Sequence, residues 1–160
     1  MLIALLALAV AAPGAGARAP VEPPETWATV NVCDTLEHPN EMGIRGSMHG
    51  MARKTAMYMR FRVQFRRGTE PWHVLKSGPL TDSGWVRVAS GRKGAHDAGW
   101  SFRFKPPGSG GAHVLRGVVQ FKWRRGGKVI ARAKAVTTAD HPDTAGADPS
   151  DFSADMCEIA

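Results

Sequence analysis

The chain has 160 residues, of which 43% are apolar and 22% charged, with 18 Gly and 11 Pro. That length suits one domain, and that composition excludes intrinsic disorder. The formal net charge of +7 is unevenly spread: all 21 basic residues lie at or before Lys134, and no Lys or Arg follows to balance Asp140, Asp143, Asp148, Asp151, Asp155 and Glu158.

Residues 2–12 form an unbroken apolar run, too short to cross a bilayer and ended by Pro13. Ala15-Gly16-Ala17 has the small-x-small form of a signal-peptidase site, so residues 1–17 are expected to be a signal peptide, although no Lys or Arg precedes the run. No other apolar stretch approaches membrane-spanning length, so no membrane span is expected and the chain reads as secreted, to the extracellular space or the cell envelope. Residues 18–25 carry Pro20, Pro23 and Pro24 and form an extended leader. The folded domain is then residues 26–160, with an acidic C-terminal tail over 137–160.

Within the domain, residues 27–33 read as a strand with Ala28, Val30 and Val32 on one face. Residues 38–50 are rich in Gly and poor in apolar residues, which predicts a loop with at most a short strand around Ile44. Residues 57–66 place Met57, Met59, Phe61, Val63 and Phe65 on one face and Tyr58, Arg60, Arg62, Gln64 and Arg66 on the other, a period-two pattern that a helix cannot produce. Shorter strands are expected at 72–75, 85–89 and 100–104. Residues 114–124 and 128–136 alternate again around Gly126-Gly127, which can supply the positive φ of a tight hairpin. The fold class is therefore all-β, a single antiparallel β-sandwich of about seven strands, with a closed barrel as the alternative. The tail is expected to wrap the surface until Cys157 pins it.

Cys33 and Cys157 are the two cysteines, one near each end of the domain, and in an exported chain an even count predicts a disulfide between them. The strand count, Trp85 as a core residue and the 114–136 hairpin resemble the immunoglobulin-like and fibronectin type III-like sandwiches of bacterial secreted proteins. The resemblance covers residues 26–136 and implies an Ig-like adhesion, ligand-binding or spacer module. The bridge departs from the immunoglobulin pattern, because it is expected to join the two ends of the domain and not the two sheets around a core Trp.

No catalytic site is expected. Gly46-Ser47-Met48-His49-Gly50 puts serine one place too early for a nucleophile elbow, and Ser90-Gly91-Arg92-Lys93 lacks the companion motifs of penicillin-binding enzymes. His38, His49, His73, His96, His113 and His141 have no metal-binding spacing, so no metal and no cofactor is expected. Calcium on the tail carboxylates Asp143, Asp148, Asp151 and Asp155 is the weaker alternative. The functional signal is a basic face: Arg60, Arg62, Arg66, Arg103, Lys122, Arg124, Arg132 and Lys134 all fall on outward positions of predicted strands. If those strands share a sheet, the face could hold an anionic polymer by releasing its counterions. The opposing reading is a solvated sheet face, partly covered by the acidic tail. Trp85, Trp100 and Trp123 are expected in the core, and Trp72 at the surface. The chain thus reads as a non-catalytic binding or interaction module. Its partner is either an anionic cell-envelope polymer or another extracellular protein, with no sequence-specific nucleic-acid recognition. A structural or spacer domain is the alternative. An exposed aromatic on an uncovered basic face favours binding, and a face buried by the tail favours the spacer.

Overall fold

Two antiparallel sheets pack face to face around a core of Met, Phe, Val, Ile and one Trp. The computed structural model describes residues 22–76, 80–108 and 111–160; the expected signal peptide and the first half of the leader lie outside these. The smaller sheet has the order β1 (Thr26–Cys33), β2 (Glu41–His49), β6 (Ala95–Arg103). The larger sheet is built on β3 (Thr55–Arg66) and β7 (His113–Arg125), paired in continuous register from Ala56 opposite Arg124 to Arg66 opposite Val114. On its other edge β3 carries β5 (Val86–Gly91) and then β4 (His73–Val74). On its other edge β7 carries β8 (Lys128–Val136) and, near its start, β9 (Cys157–Ile159). The all-β reading holds, with nine strands among the described residues in place of about seven, and two of the nine are only two or three residues long.

The alternation predicted for β3 and β7 is what closes the core. Met57, Met59, Phe61, Val63, Val119, Phe121 and Trp123 are fully buried. The Trp123 indole N–H donates to the His49 carbonyl at 2.8 Å, so its polar end is satisfied inside the sandwich. Gly126 and Gly127 both have positive φ, as the β7–β8 turn requires.

The segment expected to be a loop at 38–50 is instead the central strand of the smaller sheet, paired on both sides. Its glycines are packing features. A Cβ on Gly46 would meet Met59 Sδ and Val119 Cγ1 at 3.3 Å. The sheets approach closely at Gly117 of β7, against Ile44 of β2. A Cβ there would stand 2.6 Å from Thr137 Cγ2 and 2.8 Å from Ile44 Cδ1.

The acidic tail runs along β1. Val30 and Ala154 exchange backbone hydrogen bonds, and the Asp148 N–H donates to the Asn31 carbonyl. The Asn31 amide donates to the carbonyl of Gly146 at 3.1 Å, Thr29 and Ser153 share a hydroxyl hydrogen bond at 2.7 Å, and His141 stacks on Trp27 at 4.2 Å. This cover explains why β1 is buried on both faces. The Cys33–Cys157 disulfide is present, with its Cα atoms 5.4 Å apart. It ties the end of β1 to the start of β9, and so joins the smaller sheet to the larger; the expectation that it would not link the sheets is corrected by the late strand β9, which the sequence did not signal.

Candidate binding face

The outer face of the larger sheet is built in rows, because residues paired across antiparallel strands point the same way. One row runs Arg87, Tyr58, Lys122, Arg132 across β5, β3, β7 and β8. The next holds Arg60, Gln120 and Lys134, and the next Arg62, Val118 and Val136. Beyond these lie Gln64 beside Arg116, then Arg66 beside Val114 and Glu158. Seven of the eight cations read from the sequence therefore share this sheet: Arg60, Arg62, Arg66, Lys122, Arg124, Arg132 and Lys134. Arg103 does not. It lies on β6 of the other sheet, where its guanidinium donates to Glu41 at 2.8 Å. The strand pattern showed that Arg103 points outward but not to which sheet it belongs. Arg87 and Arg116 also belong to the face; Arg87 stands opposite Tyr58 on β5, a short strand whose place beside β3 its own sequence does not encode.

Two aromatic groups sit among the cations. The Lys122 ammonium lies 3.7 Å from the Trp85 ring centre and 5.1 Å from that of Tyr58. Trp72 is bracketed by the guanidinium groups of Arg116 at 4.3 Å and Arg66 at 4.8 Å. Such stacks hold long cationic chains in place against a polarisable surface. Trp85, expected in the core, is instead 37% exposed on this face, and Trp100, expected in the core as well, is 40% exposed on the edge strand β6. An apolar–polar alternation of two or three residues does not separate a core Trp from one lying flat on the outside of a sheet. Trp72, expected at the surface, is half-buried between its two arginines.

The charge on the face is partly compensated at one edge. Asp82 accepts from Arg60 Nε at 2.8 Å and lies 3.3 Å from Arg62 Nε. The Arg60 hydrogen bond, outweighing burial, holds its carboxyl below the usual range, with help from the Gly84 N–H and Arg62. Among the described residues, no carboxylate comes within 4 Å of Arg66, Arg116, Lys122, Arg124, Arg132 or Lys134. Burial and then the charges of Arg124, Arg132 and Arg60 push the Lys122 ammonium down from its ordinary value, and burial and then Arg66 do the same to Arg116. Between the two aromatic stacks a shallow cavity of about 240 Å³ is floored by Val118 and Val136 and rimmed by Arg62, Arg116, Lys134 and the amides of Gln64 and Gln120. An apolar floor with amide and guanidinium groups at its rim can accept a flat, anionic unit of a larger chain. The tail's body, residues 141–154, lies along β1 and not over this face.

The residues weighed for other chemistry lie elsewhere. Ser47 is buried within β2, and Ser90 is exposed on β5. Glu37, His38 and Asp148 bring one ligand-type atom each within 4.8 Å of one another at the loop before β2, with the Asp148 carboxylate accepting from the Thr35 hydroxyl. Asp151 and Asp143 face each other, and the hydrogen bond and charge of Asp143 push the Asp151 carboxyl up. No known protein-family model matches the chain, and a search of curated proteins finds no significant similarity.

Proposed function

We propose that this chain is an exported, non-catalytic binding module that holds an anionic envelope polymer against the outer face of its larger sheet. The observation that carries the reading is the row Arg87, Tyr58, Lys122, Arg132, with Trp85 exposed over Lys122 and, among the described residues, no carboxylate within 4 Å of Lys122 or Arg132. Like charges set one strand apart repel, and Arg124, Arg132 and Arg60 add to the burial that chiefly pushes the Lys122 ammonium down. A polyanion laid across the rows relieves it and releases its own counterions. The exposed Trp85 ring and the half-buried Tyr58 ring beside cations add stacking surface for planar or sugar-like units. The small-x-small site near residue 17 and the disulfide both suit an oxidising compartment outside the cytosol.

The test is retention of the purified protein on an immobilised polyanion such as heparin across a salt series, against the variant Lys122→Glu/Arg132→Glu/Lys134→Glu. The expected result is retention that falls steeply with salt and is lost in the triple variant, with the fold of the variant verified by circular dichroism. Equal retention of the two proteins refutes the assignment of this face.

A further inference from the structure

The smaller sheet has two edges, and the chain treats them differently. The β1 edge is covered by the tail, through the Val30–Ala154 and Asn31–Asp148 backbone bonds. The β6 edge has no backbone partner among the described residues, and this nine-residue strand contains no proline and no bulge in its pairing with β2. An uncovered edge of that length is a ready template for another strand.

Which groups face outward can be worked out. The Phe104 N–H donates to the Asn40 carbonyl, and the Gly50 N–H donates to the Gly94 carbonyl, at the two ends of an unbroken ladder. Hydrogen-bonded and non-hydrogen-bonded pairs alternate in an antiparallel ladder. The even-numbered residues of β6 therefore bond β2, and Ala95, Asp97, Gly99, Ser101 and Arg103 turn their N–H and C=O groups to the open side. All five are exposed.

We infer that β6 pairs with the β6 of a second copy of this chain, antiparallel about a two-fold axis through Trp100. In that register Asp97 faces Arg103 of the partner twice over, and Gly99 faces Ser101. These are outward-turned residues on both strands, so each pair can exchange both hydrogen bonds. Opposite charges stand equally far on either side of the centre, which makes the strand complementary to itself. A register shifted by two residues one way sets Asp97 against Ser101, and the opposite shift sets it against Lys105, which lies outside the strand and beside Pro106. Trp100, 40% exposed, meets its own copy at the centre in a non-hydrogen-bonded pair, where Cα atoms approach to about 4.5 Å. The result is a continuous six-stranded sheet across the two copies. Isologous pairing of this kind closes on itself, which distinguishes it from open aggregation.

The experiment is sedimentation of the purified full chain over a range of concentrations, with variants on the open strand. Ser101→Pro removes an N–H that β2 does not use, together with a hydroxyl that hydrogen-bonds the Glu41 carboxylate, and Asp97→Lys sets a cation against the partner's Arg103 without touching that bond. Each is expected to raise the dimer dissociation constant at least about tenfold while far-ultraviolet circular dichroism stays unchanged. Trp100→Cys reads the register directly: it is expected to form a covalent dimer under mild oxidation, while Ala98→Cys, whose copies lie four residues apart across the axis, does not. A chain that sediments as a monomer at every concentration overturns the inference and leaves the edge to a strand from a different protein. A dimer that survives Ser101→Pro and Asp97→Lys, or no preference for crosslinking at Trp100, overturns it equally.

Discussion

Gly117→Ala adds one methyl at the point where the two sheets touch. The new Cβ would lie 2.6 Å from Thr137 Cγ2, 2.8 Å from Ile44 Cδ1 and 3.0 Å from Ile44 Cγ2. Ordinary contact needs each of these to open by several tenths of an ångström, and Thr137 is the least able to move. Its hydroxyl donates to the Asp155 carbonyl at 2.6 Å and accepts from the Gly117 N–H at 3.1 Å. Overpacking of a dense core costs about 1–3 kcal/mol, and loosening a buried hydrogen bond adds about 1 kcal/mol, so the expected loss is about 2–4 kcal/mol. Thr137→Ser removes the methyl that clashes hardest and keeps the hydroxyl. In the double variant it should return about 1 kcal/mol or more of that loss as a coupling energy. The assay is urea unfolding of the four proteins of the cycle, where the single glycine variant should shift the midpoint by roughly 1–2 M. A Gly117→Ala protein within about 0.5 kcal/mol of wild type, or a cycle with no coupling, would falsify the close approach as described.

Two further outcomes are expected. Asp82 has a carboxyl lowered from its usual value of 3.8 by Arg60, so the stability it contributes is full above that value and is lost as the pH falls through the lower folded one. Wild type should therefore exceed Asp82→Asn in urea midpoint near neutral pH, with the gap closing in acid; a gap independent of pH would count against the ion pair. Reducing the Cys33–Cys157 bridge, or replacing both residues by Ser, opens a loop with a sequence separation of 124 and should cost about 5 kcal/mol, measured as the change in unfolding free energy with and without reductant. A loss below about 2 kcal/mol would show that the unfolded chain gains little freedom on opening.

The long strands were legible because their side chains alternate between two unlike environments. Met57 to Phe65 and Val119 to Trp123 separate core from solvent residue by residue, and the burial follows. β2 was not legible, since it is covered on both faces and makes room for its neighbours with Gly43 and Gly46, residues that read as loop. In the smaller sheet β1 was legible from Ala28, Val30 and Val32, but the burial of its other face was not: Thr29 and Asn31, polar by type, are buried under a tail that returns more than a hundred residues later. The basic face was visible as a list of outward cations. Its grouping into rows, the exclusion of Arg103 and the inclusion of Arg87, Arg116, Trp72 and Trp85 depend on strand order and bulges that no local pattern encodes.

The position of the bridge has a mechanical consequence. Tension applied to the two ends of the domain enters through β1 and leaves through β9, and it crosses directly from Cys33 to Cys157. The strands from β2 to β8 lie in parallel with that link and bear none of the sustained load. Only the few residues outside the two cysteines can be drawn out, while about 400 Å of contour length stays locked behind one covalent bond. Exposed to drag at a cell surface, such a domain would keep its folded face presented under forces that unravel a sandwich held by hydrogen bonds alone, and a reducing agent would turn it from a stiff link into an extensible one.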